Sequence, residues 1–177
     1  SFFRDWPCHT PWLREIPREF VRYLSEAEIG QALPAWLPEL AHYEWVELAV
    51  DIMDCTIPTH TPHGNLLIGR PVLNPTLMNL NYQWPVHRIG PAYRPRKPQP
   101  TQLLVYRDTQ DEIQFVASQP VTSRLLALLA NEGLNGRAAC LRIAREIQHP
   151  APETLVVHGH AMLEQLLQQG IILGVQP

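Results

Sequence analysis

Leu103-Leu104-Val105-Tyr106-Arg107, then Asp108-Thr109-Gln110-Asp111-Glu112, then Ile113-Gln114-Phe115-Val116-Ala117 is the stretch on which the fold turns. Two runs of strand-forming residues flank five polar ones, which is the pattern of a β-hairpin. Within the second run, Ile113, Phe115 and Ala117 alternate onto one face.

Three helices are expected after the hairpin. Thr122 or Ser123 offers a cap for the first, whose apolar face is Leu125, Leu126, Leu128 and Leu129. Asn135 or Gly136 begins the second, with Cys140, Ile143, Ala144 and Ile147 as its stripe and Arg137, Arg142 and Arg145 away from that stripe. The third is expected over 159–169, with Leu163, Leu166 and Leu167 inward and Gly170 as a left-handed stop. Ile171-Ile172-Leu173 closes the chain as a strand or tail.

Before the hairpin, residues 66–89 have strand chemistry, with Pro71 and Pro75 confining their surroundings to edges or bulges. Met78, Leu80 and Tyr82 alternate onto one face. Residues 90–100 are proline-rich, extended and basic, and with Arg88 they place Arg94, Arg96 and Lys97 in one short stretch. Residues 54–64 read as a Pro/Thr/His linker. Upstream of it, Pro17 opens a helix with Phe20, Val21 and Leu24 on its apolar face, and Pro38 opens a second with the stripe Leu37, Ala41, Trp45, Leu48 and Ile52. The expectation is therefore an α+β chain. Residues 1–55 are the last part of a helical domain, 56–64 a linker, and 65–177 a winged-helix-like domain of antiparallel strands and three helices. The chain opens on Ser1-Phe2-Phe3 without a methionine, and a further upstream segment is expected.

Composition narrows the function. Of 177 residues, 45% are hydrophobic and 18% charged, so wholesale disorder is excluded. The net charge of −3 argues against a general polyanion binder. It divides as −4 over residues 1–50, +3 over 51–100 and −2 over 101–177, so an anionic partner would be drawn to the middle block. The longest purely apolar run is the six residues of 125–130, against the roughly 20 needed to span a bilayer. No signal peptide is read in the opening residues. Cys8, Cys55 and Cys140 are neither a disulfide framework nor a zinc ribbon, and suit a reducing, cytoplasmic compartment. Cys55, His60 and His63 are ligand types without an obvious fourth member, and no metal or other cofactor is expected. G-x-G-x-x-G, a Walker loop, H-E-x-x-H, C-x-x-C and G-x-S-x-G do not occur, so the chain is read as non-catalytic.

Two functional readings follow from a hairpin and three helices. In one, a helix of the set enters the DNA major groove through Arg137, Arg142 and Arg145. In the other, the outer border of the hairpin accepts an extended peptide as an added strand, walled by the third helix. The third helix carries no Arg or Lys, which favours the second. Proline at Gln114 is the expected way to remove a main-chain donor from that border.

Phe2-Phe3-Arg4-Asp5, residues 15–20 (Glu-Ile-Pro-Arg-Glu-Phe), residues 37–47 (Leu-Pro-Glu-Leu-Ala-His-Tyr-Glu-Trp-Val-Glu), Leu73-Asn74-Pro75 and residues 82–86 (Tyr-Gln-Trp-Pro-Val) resemble the HvfC family. Members ordinarily carry further helices upstream, and their N-terminal domain bears a DNA-binding label. The resemblance implies a partner subunit of a multinuclear non-haem iron oxidase that modifies a ribosomally made precursor peptide. It also implies that residues 101–173 act as a leader-peptide recognition module. Carried onto this chain, Ile113, Gln114, Phe115, Val116, Ala117, His160, Leu163 and Leu167 would hold the peptide. Arg88, Arg94, Arg96 and Lys97 would contact an acidic leader or the partner enzyme. The family's DNA-binding label implies a transcriptional regulator instead.

Overall fold

Proline, glycine and asparagine set the helix boundaries of the second half of the chain. The computed structural model describes residues 2–26 and 33–177. Helix α4 spans Pro120–Glu132, with Pro120 in its first turn and an extended Gln119 before it. Its cap falls three or four residues before the expected Thr122 or Ser123, because proline at the first helical position lacks only a donor the helix would leave unpaired. Gly133 stops it at φ +59°. Two residues later the Asn135 side chain accepts the Ala138 N–H at 2.8 Å and caps α5 (Gly136–Glu146). The Gly136 and Arg137 N–H groups donate to the carbonyls of Leu66 and Leu67, at 3.0 and 3.1 Å.

Helix α6 runs Pro152–Gln168 and begins seven residues before the expected start at Gly159. Gly159 is not a terminus. It is buried in mid-helix, where a Cβ would collide with the Cys140 Sγ of α5. The glycine lets the two helices approach, and its helix cost is offset by that contact. Gly170, at φ +72°, turns the chain into strand β5.

The chain forms two units. The second comprises Met53–Leu80 and Gln102–Pro177. In it, β1 (Pro71–Leu73) pairs antiparallel with β5 (Ile172–Val175), with a register shift at Val72/Leu73. The other sheet has the order β2-β3-β4: β2 (Met78–Tyr82), β3 (Thr101–Arg107) and β4 (Ile113–Ser118). The β3–β4 hairpin is antiparallel and regular, pairing Gln102 with Ser118 through Arg107 with Ile113. Leu104, Tyr106, Leu125, Leu126, Leu128, Cys140, Ile143, Leu163 and Ile172 make up much of its buried core. Asn74 and Thr76 are buried polar exceptions. The Asn74 amide donates to the Arg107 and Gly170 carbonyls (2.9 and 3.1 Å), while its oxygen accepts from the Thr76 N–H and hydroxyl. Thr76 Oγ1 in turn accepts the Arg107 N–H at 2.9 Å. This knot ties the ends of β1, β3 and α6 together.

The first unit comprises the chain up to Ile52 together with Asn81–Thr101. It holds α1 (Phe2–Asp5), α2 (Ile16–Glu26) and α3 (Leu37–Asp51). Glu39 accepts the Gln83 and Trp84 N–H groups, at 3.0 and 2.9 Å. His42 Nδ1 lies 2.8 Å from the Tyr82 hydroxyl. The expected core stripe of α3 is not what this unit buries. Val46 and Val50 are buried, whereas Leu37, Ala41, Trp45 and Leu48 are half-buried and line a groove of about 420 Å³ with Pro17, Phe20 and Leu40. Apolar residues cover more than half the circumference of α3, with Glu44, Glu47 and Asp51 on the remaining side, so periodicity does not single out one inward stripe.

The described part of the chain is thus mixed α and β, with six helices and two small sheets. No described helix is long and apolar enough to cross a membrane.

Candidate functional site

The border of β4 is built by the turn that precedes it. Asp108 Oδ1 accepts the N–H groups of Gln110 and Glu112 at 2.8 and 3.0 Å, and Oδ2 accepts from the Gln114 amide at 2.8 Å. The Glu112 and Gln110 N–H groups hold the Asp108 carboxyl below its ordinary value, so it is ionised at neutral pH. Asp111 takes φ +67°, a conformation aspartate tolerates.

Asp108 N–H donates to the Glu112 carbonyl at 2.9 Å, which makes that pair a hydrogen-bonded one. In an antiparallel ladder such pairs alternate. Gln114 and Val116 therefore bond inward to Tyr106 and Leu104, and the main-chain groups of Ile113 and Ala117 point outward. Among the described residues no strand lies on that outer side, since β4 ends the β2-β3-β4 order. A proline at Gln114 would break the hairpin's own ladder. A proline at Ala117 removes an outward donor only.

Beside this border lies a groove of about 400 Å³. Leu104, Val116 and Leu166 form its apolar part, and Ala117, Ser118, Gln119 and Thr122 line the β4–α4 side. On the α6 side its wall is His158, Ala161, Met162, Gln165 and, just past the helix end, Gln169, a set spaced along one helical face. The Thr122 hydroxyl donates to Met162 Sδ at 3.4 Å, and the Tyr106 hydroxyl donates to the Gln169 carbonyl at 2.8 Å. These bonds hold α6 against α4 at one end of the groove and against β3 at the other.

The residues expected at the site divide. Ile113, Gln114, Phe115, Val116 and Ala117 all lie on β4. Leu163 is fully buried in the core and Leu167 packs against that core, so neither lines the groove. His160 faces Glu164 at 3.4 Å on an exposed part of α6. The sequence reading assigned the most apolar helix face to the guest, but the core takes that face. The neighbouring stripe of Ala161, Met162 and Gln165 walls the groove, and its mixed polarity was the only signal for it.

Arg88 covers the Tyr93 ring, with its guanidinium carbon 4.9 Å from the ring centroid, and Arg94, Arg96 and Lys97 are exposed. Of the three arginines considered for DNA, Arg137 pairs with Glu153 at 2.7 Å. Arg142 pairs with Glu146 at 3.2 Å, and Glu146 is also held by Arg124 at 2.6 Å. Hydrogen bonds from Arg124, then Arg142, bring the Glu146 carboxyl down to about 2. Cys140 is buried, and burial pushes its thiol up, as expected of a packing cysteine.

A family model described as the HvfC C-terminal domain matches residues 74–167, more than half of the chain. The chain belongs to the HvfC family. No curated protein matches it. The region shared with other HvfC C-terminal domains runs from the Asn74 knot through the hairpin, α4 and α5 to the end of α6, so it contains every residue lining the groove except Gln169.

Proposed function

We propose that this HvfC-family chain is a non-catalytic, cytoplasmic partner protein that binds a ribosomally made precursor peptide by strand addition. It presents that peptide to a multinuclear non-haem iron oxidase. The observation that supports the reading is that β4 stands last in its sheet among the described residues, beside a groove walled by α6. An extended peptide gains affinity there from main-chain bonds to Ile113 and Ala117, and selectivity from side chains entering the groove. The hairpin and three helices act as a winged-helix-like recognition domain in this reading. The outer side of β4 accepts the guest strand, and Arg88, Arg94, Arg96 and Lys97 contact the oxidase or an acidic part of the leader. Of the three arginines of the DNA reading, Arg137 and Arg142 are engaged by Glu153 and Glu146, so strand addition is the better supported reading.

Calorimetry with the cognate leader peptide tests this. Ala117→Pro is expected to weaken binding by about tenfold, the loss of one well-made main-chain bond and its neighbours, while the protein stays folded, because proline is tolerated where an edge N–H faces outward. Unchanged affinity in folded Ala117→Pro would remove strand addition.

A further inference from the structure

The groove and the turn before β4 differ in charge, and the difference specifies a guest. The groove lining contains no carboxylate, lysine or arginine. Its centre is apolar and its remaining wall is neutral amide and hydroxyl, with His158 at the end near Thr122. At the opposite end of β4 stands the Asp108–Glu112 turn. Its acids are Asp108, Asp111 and Glu112, and Asp111 is engaged by Arg107 at 3.4 Å. Asp108 is fixed in place by the Gln110 and Glu112 N–H groups and reaches the Gln114 side chain at 2.8 Å.

Side chains of a β-strand alternate between faces, so Gln114 and Val116 share the helix side of the sheet with their partners Tyr106 and Leu104. A guest strand paired to β4 sets its own side chains beside these two, again two residues apart. The one beside Val116 enters the apolar centre formed with Leu104, Met162 and Leu166. The one beside Gln114 meets the Asp108 carboxylate. We propose that the preferred guest is a strand-forming peptide segment with an aliphatic side chain at one position and a lysine or arginine two residues away. This rests on the strand-addition reading above and adds to it a rule for the guest's side chains. The rim cation contributes selection rather than most of the affinity, because Asp108 is only half-buried.

The probe is a set of synthetic ten-residue peptides of alternating Thr and Val with Leu at the centre. Lys, Gln or Glu stands two residues before it in one series and two residues after it in the other, covering both strand directions. Titrated against the whole chain, the Lys peptide of one series is expected to bind about two- to fivefold tighter than its Gln counterpart, the range of an exposed charge pair, with Glu weakest. Asp108→Asn keeps the side-chain oxygen that accepts from the turn and removes the charge. It is expected to abolish the Lys preference while leaving the Gln peptide unchanged, and a thermal melt confirms that it folds. Equal binding of Lys, Gln and Glu peptides, all lost in Ala117→Pro, overturns the charge rule and leaves strand addition standing. Failure of every peptide to bind the folded wild-type chain overturns both.

Discussion

Cys140 and Gly159 show how a single side chain decides the packing of two helices. A methyl group at Gly159 would occupy the space of the Cys140 sulfur. Gly159→Ala is therefore expected to destabilise the chain by about 1–3 kcal/mol, the cost of overfilling a packed core. Urea unfolding checks this, and adding Cys140→Ala to Gly159→Ala should recover part of the loss. A lack of recovery would mean that the strain lies elsewhere. Asn74 is the polar counterpart. Asn74→Ala leaves the buried Thr76 hydroxyl and the Arg107 and Gly170 carbonyls without their partner. A loss of about 2–3 kcal/mol is expected in the same measurement. Neither residue announced itself: a glycine inside an apolar pattern reads as a boundary, and a lone Asn before proline reads as a turn.

Elements were legible wherever one face alone is buried. The hairpin, α5 with its Asn135 cap and the Gly170 stop were all readable, because their spacing or punctuation has one physical meaning. The wall of the groove was not, because α6 buries Leu163 and Leu166 and offers the adjacent stripe to solvent. Helical periodicity locates the core stripe, and a binding stripe of mixed polarity beside it carries no separate period. The same limit applies to α3, where the apolar arc is wider than the buried stripe and Leu37, Ala41, Trp45 and Leu48 lie beside a groove instead of under a neighbour. Ladder phase was likewise hidden. The Asp108–Glu112 bond, together with the Arg107 N–H and carbonyl turned to Thr76 and Asn74, shows that Gln114 bonds inward. At this scale the account predicts that Gln114→Pro unfolds or frays the hairpin, seen as lost β-sheet signal, whereas Ala117→Pro keeps it.

For the whole molecule, acid is expected to weaken the fold before its carboxylates titrate. Desolvation, the larger effect, holds His42 below its ordinary value despite Glu39 nearby. Burial lifts the Tyr82 phenol, so its hydroxyl remains the donor to His42 at neutral pH. With the folded value depressed, the unfolded chain takes up the proton first. The stability held above about pH 6.5 therefore declines as pH falls through the range below it. His87, also lowered chiefly by desolvation, acts in the same direction. Urea midpoints should drop between pH 7.5 and 5.5, and drop less in His42→Gln. An equal drop in that variant would assign the sensitivity to other groups.

The central claim is that the outer side of β4 receives the peptide main chain, and amide hydrogen exchange read residue by residue tests it most directly. On adding the leader peptide, the account predicts slowed exchange at Ile113 and Ala117, whose N–H groups point outward, with Gln114 and Val116 already protected and little changed. Protection that appears on α5 around Arg142 and Arg145, with Ile113 and Ala117 unaffected, would contradict it.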